Sequence, residues 1–444
     1  MRQRDHARPR LYNPLFRALS ASGFRQSNDQ PPPDTFTMTS KQQGSALQAT
    51  IVVVLSLVFV LTVAEIGIRL AEKAGLYPTM FRLLGNASPP LDEKTGPGMY
   101  YQHPYTAYAI KPGYTRGDQE RINSLGFRGE DFALEKPDDV YRIAAIGGST
   151  TFAVYLAWDK SYPYLLQKEL RRRFGTDKIE VMNAGLTGST TAESLHRLQS
   201  QIIPIDPDMV IIYHAFNDLL PRMFDNYSDD YYHFRRSDPN NPPGLTRFYL
   251  YRLFLRIFSP AAFHENNNLM NQVWKTKNFP STDTARSRNF LESSNHAFKS
   301  NIQMMAVLLK GLDIDVVLAS FAIKNDIYHW TEHLPAYLWE VGIVENNKAI
   351  REVADELDLP LVPFADTPFV QASITRFKVK LFADSIHMAP EGNQLKAEIF
   401  ADTIAPIIAS DLGMPTPEPS IYYQQMQALQ TGSPAEVTEV ADKL

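Results

Sequence analysis

Five short runs of apolar, β-prone residues recur along this chain, at Tyr141 to Ile146, Ile179 to Met182, Met209 to Tyr213, Ile314 to Ala319 and Leu361 to Phe364, with amphipathic helical stretches between them. Runs that are apolar throughout, rather than alternating, must be covered on both faces. Strand, helix and strand in repeated succession achieves this with a parallel sheet between two helical layers. The pattern therefore predicts an α/β fold whose site lies at the carboxyl ends of the strands. Ser161 is placed to cap a helix over Tyr162 to Phe174, in which Tyr164, Leu165, Lys168, Leu170 and Arg172 give an apolar stripe and a basic face. Thr190 or Thr191 is placed to cap a helix through Ile203 that Pro204 stops, and residues 344–358 and 391–408 are amphipathic in the same way.

The 444 residues are 44% hydrophobic and carry a net charge of −5, enough chain for one large or two ordinary domains and no basic excess to suggest nucleic acid. Cysteine is absent. That excludes a disulfide framework, a thiolate zinc site and a cysteine nucleophile, and is compatible with either side of a membrane.

The compartment is indicated by Gly44 to Ala64, 21 residues without a charge between Lys41 and Glu65. As a helix such a run is about 31 Å long, enough to cross a hydrocarbon core. Seven Lys or Arg precede it, against Asp5, Asp29 and Asp34, so the positive-inside bias puts the N-terminus in the cytoplasm and everything after residue 70 outside, periplasmic or extracellular. Met38 as the start, with cleavage after Thr62-Val63-Ala64, is the competing reading, and export survives it. An uncleaved anchor is favoured, because the apolar run is longer than a usual signal core and continues into an amphipathic stretch from Ile66.

The expected organisation is a disordered N-terminus over 1–43, an anchor over 44–70, a Pro-, Tyr- and Gly-rich linker with a small cap over 71–138, the α/β domain over 139–410 and a tail over 411–444. Within the cap, Arg121-Ile-Asn-Ser-Leu-Gly-Phe-Arg-Gly reads as short strands and turns. Residues 221–290 break the strand and helix alternation; a stretch of that length is expected to cover a site or to lie on the membrane surface, with an extra helix packed on the domain as the equal alternative.

The chemistry is concentrated at the ends of the apolar runs. Ser149 follows Gly147 and Gly148 at the end of the first, which turns its hydroxyl and its own N–H toward the site. Asp384-Ser-Ile-His387 stands just before the final helix, where a three-residue spacing can fold the carboxylate back onto Nδ1 of its own histidine. Nε2 is then left to take a serine proton. A hydroxyl needs such an imidazole to act as a nucleophile, so the chain reads as a serine hydrolase. Gly188, after the second run, allows a backbone N–H to approach an oxyanion closely, and the Asn217 side chain, after the third, supplies an amide donor. Each feature is common alone, and their order along the chain is what joins them.

In these blocks the chain resembles the SGNH (GDSL-type) hydrolase family, over about residues 139 to 408. The resemblance implies a flavodoxin-like, three-layer α/β/α fold with a five-stranded parallel sheet. It also implies Ser149 as nucleophile, His387 as base and then acid, Asp384 as its orienter, and the Ser149 N–H, the Gly188 N–H and the Asn217 side chain as the oxyanion hole. Gly-Gly-Ser replaces the family's Gly-Asp-Ser. Ala215 stands where the third block usually has glycine, tightening the loop before Asn217. The α/β-hydrolase elbow does not fit, because Ser149 lies in Gly-Gly-Ser-Thr-Thr and not in Gly-x-Ser-x-Gly.

His329-Trp-Thr-Glu332-His333 matches an inverted zinc-protease pattern, but no third ligand is evident and Pro335 follows closely, so a solvated or site-rim loop is expected there. The expected function is ester hydrolysis through an acyl-serine, without metal or organic cofactor, on an acylated carbohydrate or small exported ester. A polysaccharide O-acyltransferase using the same triad is the nearest alternative, and a non-catalytic envelope assembly or glycan-binding protein the next. The sequence leaves the oligomeric state open.

Overall fold

The structure, a computed structural model, describes residues 40–73, 99–103, 105–231, 233–234, 280–324, 334–367 and 381–420, with single positions at 245, 248, 250, 251, 254, 258, 370 and 423. The chain divides into two compact units, Met1–Val63 and Ala64–Leu444. Helix α1 (Ser40–Lys73) contains the 25-residue stretch Leu47–Ala71, with mean hydropathy 2.7, which is long and apolar enough to cross a membrane. From Leu47 to Val63 its side chains are almost all exposed, Phe59 by 69%. A helix apolar on every side gains nothing from water and has no polar face to present to it.

After α1 the next described elements are two antiparallel hairpins, β1 (Tyr100–His103) with β2 (Ala107–Ile110), and β3 (Thr115–Arg116) with β4 (Glu120–Arg121). The parallel sheet follows: β5 (Tyr141–Gly147), β6 (Ile179–Gly185), β7 (Met209–Tyr213), β8 (Asp315–Ala319) and β9 (Leu361–Val362), in the order β6-β5-β7-β8-β9. This is the flavodoxin-like order 2-1-3-4-5, with its switch point between the adjacent strands β5 and β7. Every residue of β5 and β7 is buried, as strands covered on both faces require.

The intervening helices are α2 (Ser149–Phe152), α3 (Tyr162–Phe174), α4 (Thr191–Arg197), α5 (Asp283–Glu292), α6 (His296–Lys310), α7 (Ala336–Leu357) and α8 (Pro390–Asp411). α3 packs with α8, and α6 packs with α4 and α7, one group for each face of the sheet. Under the site, the Lys396 side chain of α8 is buried with its ammonium 3.1 Å from the centroid of the Tyr213 ring and 4.0 Å from that of Tyr162. Burial pushes its pKa well below the usual lysine range.

Three local expectations are corrected. The buried side of α3 is Tyr162, Leu166, Leu170 and Phe174 at a four-residue spacing, together with Pro163, whereas Tyr164 and Leu165 are only partly covered; Lys168 and Arg172 do form the exposed basic face. Ser161 does not cap α3 with its side chain, because its Oγ donates backward to Trp158 O at 2.8 Å. The helix from Thr191 is regular only to Arg197; it loosens through a π turn at Leu198–Ile202 and ends in a 3-10 turn that contains Pro204. Thr190 is its cap, with the Glu193 carboxylate accepting from Thr190 N at 2.8 Å.

Two glycines determine how closely the turn after β5 lies on the sheet. A Cβ on Gly147 would stand 2.6 Å from Tyr213 O. One on Gly185 would stand 2.7 Å from Phe152 Cα and 2.9 Å from Thr151 C, so α2 rests directly on the backbone at the end of β6. The Thr151 side chain also stands close to the Gly147 position, and the backbone atoms at both positions cannot step aside. Gly185→Ala is therefore expected to lower stability by about 2–3 kcal/mol, read as a lower urea midpoint at unchanged slope; an unchanged midpoint would show that the contact is looser than described.

Candidate active site

β5 ends at Gly147, and Gly148 (φ −86°, ψ −149°) turns the chain into the single helical turn α2, whose first residue is Ser149. The turn stops at Ala153, which adopts the left-handed conformation (φ 63°) and donates its N–H to Ser149 O at 2.8 Å. Ser149 is held at the carboxyl end of the sheet, 8% exposed.

Asp384 and His387 come from the loop before α8, closed by a bridge between Phe382 and Met388 and by Ala383 N donating to His387 O at 2.8 Å. The Asp384 Oδ1 accepts the N–H groups of Ile386 at 2.8 Å and of His387 at 2.7 Å, the local turn that an aspartate makes with its own backbone. Its Oδ2 stands 2.7 Å from His387 Nδ1, and His387 Nε2 stands 2.8 Å from Ser149 Oγ. With Nδ1 facing a carboxylate, the proton belongs on Nδ1 and Nε2 is the acceptor for the serine hydroxyl. Burial alone would raise the Asp384 carboxyl, but the His387 side chain and the two backbone donors outweigh it and hold the group below the usual carboxylate range.

The remaining expected site residues gather around the same turn. The loop after β6 hangs from the end of β5, with Leu186 N donating to Gly147 O at 2.9 Å. In that loop Gly188 takes a left-handed conformation (φ 74°), and Tyr108 donates its hydroxyl to the preceding carbonyl, Thr187 O. Asn217 donates from Nδ2 to Ser189 O at 2.8 Å, and the same nitrogen lies 2.5 Å from where a Cβ on Gly148 would be. The amide therefore sits directly over the residue before Ser149, a position open only because residue 148 has no side chain. Ala215 is buried, and its carbonyl accepts from Asn346 Nδ2 at 2.9 Å, so the tighter loop is braced by α7.

Two features escape a reading of the sequence. Tyr155 packs edge-on against the His387 ring at 5.0 Å between centroids, while remaining 60% exposed at the rim. Burial and then the nearby Asp384 carboxylate raise its hydroxyl above the usual tyrosine range. Asp218, next to Asn217, is buried and accepts from Thr191 N at 3.1 Å, Thr191 Oγ1 at 2.5 Å and Tyr231 Oη at 3.2 Å. It ties the loop carrying Asn217 to the start of α4, just after the Gly188 loop. The adjacency of Asn217 and Asp218 was visible, but the partner at Thr191 was not.

His329, Glu332 and His333 lie outside the described residues, as does most of 221–290. Among the described residues, no three His, Cys, Asp or Glu are grouped to hold a metal ion.

The family model for the GDSL-like lipase/acylhydrolase family matches residues 145–395, over half of the chain. A search of curated proteins finds no match. Among solved structures, a putative lipolytic protein of the G-D-S-L family from Desulfitobacterium hafniense is similar at 16% identity and TM-score 0.36, covering 58% of this chain and 97% of its own. The acetylxylan esterase Axe2 of Geobacillus stearothermophilus is similar at 15% identity and TM-score 0.37, covering 61% and 96%.

Burial pushes the Asp218 carboxyl up to about 7. A carboxyl at about 3.9 in the unfolded chain and raised in the folded one gives stability that is complete below pH 4 and is lost as pH rises toward 7, on the order of 1 kcal/mol per unit. Asp218→Asn cannot ionise. Its unfolding free energy should therefore fall less between pH 4 and pH 7 than that of the wild type, and parallel pH profiles would show that Asp218 does not titrate in this window.

Proposed function

The chain belongs to the GDSL-like lipase/acylhydrolase family and is a hydrolase of ester bonds, and on that premise we propose that it is a membrane-anchored serine esterase working through an acyl-serine at Ser149. The observation that carries this reading is the continuous chain of hydrogen bonds from Ser149 Oγ through His387 to Asp384, at 2.8 and 2.7 Å.

In the first half-reaction His387 Nε2 takes the Ser149 hydroxyl proton as Oγ bonds to the ester carbonyl carbon. The Asp384 carboxylate stabilises the imidazolium and keeps its orientation. Negative charge collects on the former carbonyl oxygen, where the Ser149 N–H, the Gly188 N–H and the second amide N–H of Asn217 are the donors. The ester C–O bond then breaks, His387 returns the proton to the leaving alkoxide, and the acyl group stays on Ser149. Water repeats the sequence, giving its proton to His387 and releasing the acid.

The compartment and substrate follow from the anchor. α1 crosses the membrane with its N-terminal side in the cytoplasm, as the seven cationic residues before Gly44 favour, and the esterase domain faces outward. A domain held there meets O-acylated envelope glycans and exported small esters, and these are the proposed substrates.

A fluorophosphonate probe is expected to label the wild-type chain and neither Ser149→Ala nor His387→Ala; labelling that persists in Ser149→Ala contradicts the assignment. Asp384→Asn, which keeps the shape and removes the charge, should lower kcat for short-chain aryl esters by about 10³- to 10⁴-fold, and a loss below tenfold would remove Asp384 from the mechanism. For topology, alkaline phosphatase fused after Lys73 should be active and the same enzyme fused before Gly44 inactive; the opposite pattern reverses the orientation.

A further inference from the structure

The segment before the family domain is joined to the turn that follows the nucleophile by one buried cation. Arg128 stands where a short antiparallel bridge adds the chain to the outer edge of the sheet, its backbone N donating to Asn183 O at 3.1 Å. Its side chain is fully buried. Nη1 donates to Phe152 O and, at 2.9 Å, to Ala153 O. Nη2 donates to Leu156 O at 2.5 Å and Gln119 O at 3.3 Å, and lies 3.2 Å from Glu120 Oε2. The guanidinium plane also covers the Phe152 ring, 4.4 Å from its centroid.

The chemistry of those carbonyls explains why a guanidinium is needed. α2 is one turn long and ends on an alanine in the left-handed region, which costs about 1–2 kcal/mol for a residue with a Cβ. The helix does not continue past its exit, where Ala153 O accepts from Leu156 N at 3.0 Å and Phe152 O from Asn183 Nδ2 at 3.5 Å, so the second lone pairs of these carbonyls are open to a further donor. Arginine presents several donors in a planar fork and meets three of these oxygens at once; a lysine ammonium has no such fork. Tyr155 lies inside the clamped stretch, between Ala153 and Leu156, and its ring is what packs on His387 beside Asp384.

We infer that Arg128 is a positioning residue of the esterase: by clamping the carbonyls of Phe152, Ala153 and Leu156 it holds Tyr155 against the His387–Asp384 pair. The segment that precedes the family domain is thereby a working part of the site. This inference rests on the serine mechanism proposed above.

The test is a double-mutant cycle on the full-length enzyme with a short-chain aryl ester, using Arg128→Lys, Tyr155→Ala and the pair, with Ser149→Ala as the control for the mechanism itself. Arg128→Lys is expected to lower kcat about 10- to 100-fold with KM changed less than about threefold, as loss of alignment rather than of binding does. Tyr155→Ala should do the same, and the pair should lose no more than the worse single variant. Multiplicative losses, or a wild-type kcat in Arg128→Lys, would overturn the inference. If Arg128→Lys does not fold, Tyr155→Ala decides: its side chain is at the rim, and an unchanged kcat there overturns the inference equally. Turnover that survives Ser149→Ala would instead remove the underlying mechanism, so the two failures are distinguishable.

Discussion

The site depends on how closely one turn of backbone can lie on a sheet. α2 rests on the end of β6 where Gly185 has no side chain, and it leaves β5 through Gly147, which faces the carbonyl of Tyr213. Gly148 leaves room for the Asn217 amide. With a larger residue at Gly147 or Gly185 the serine would be lifted from the carboxyl edge of the sheet, away from a histidine that arrives 238 positions later in the chain. The 2.8 Å contact between Ser149 and His387 is therefore a consequence of backbone packing in the middle of the fold, as much as of the two residues that make it.

What could be read in the sequence was what is encoded locally. The five apolar runs appear as the five strands, with β7 at its expected limits and β6 three residues longer, because an all-apolar run is under the same burial constraint at every position. The contact between Asp384 and His387 was legible because they close a turn within four residues, and the placement of Ser149 at a strand exit because two glycines mark it. The stripe of α3 differs from the expected one: Tyr164 and Leu165 are apolar enough to be buried, but the side of the helix that the fold covers carries Leu166 and Leu170 instead. Ser161 was misread because a hydroxyl beside a helix start can bond backward as easily as forward.

Arg128, Tyr155 and Asp218 were beyond such reading for a common reason. Each acts through a partner that is distant in the chain or joined to it only by a turn: Arg128 through carbonyls 24 to 28 residues on, Asp218 through Thr191 27 residues back. An arginine in a Gly-Phe-Arg-Gly turn looks solvated until the fold buries it. The same holds for Lys396, whose ammonium lies over the rings of Tyr213 and Tyr162 from two other elements of the domain.

The central claim is that an acyl group passes through Ser149. Mixing the full-length enzyme with an aryl acetate, quenching in acid within the first turnover and mapping the peptides by mass spectrometry tests it directly. The account predicts one acetyl group on the peptide carrying Ser149, appearing as fast as the first equivalent of phenol is released and decaying as acetate is formed. Phenol release with no acetyl on that peptide, or with the acetyl on another residue, would contradict it.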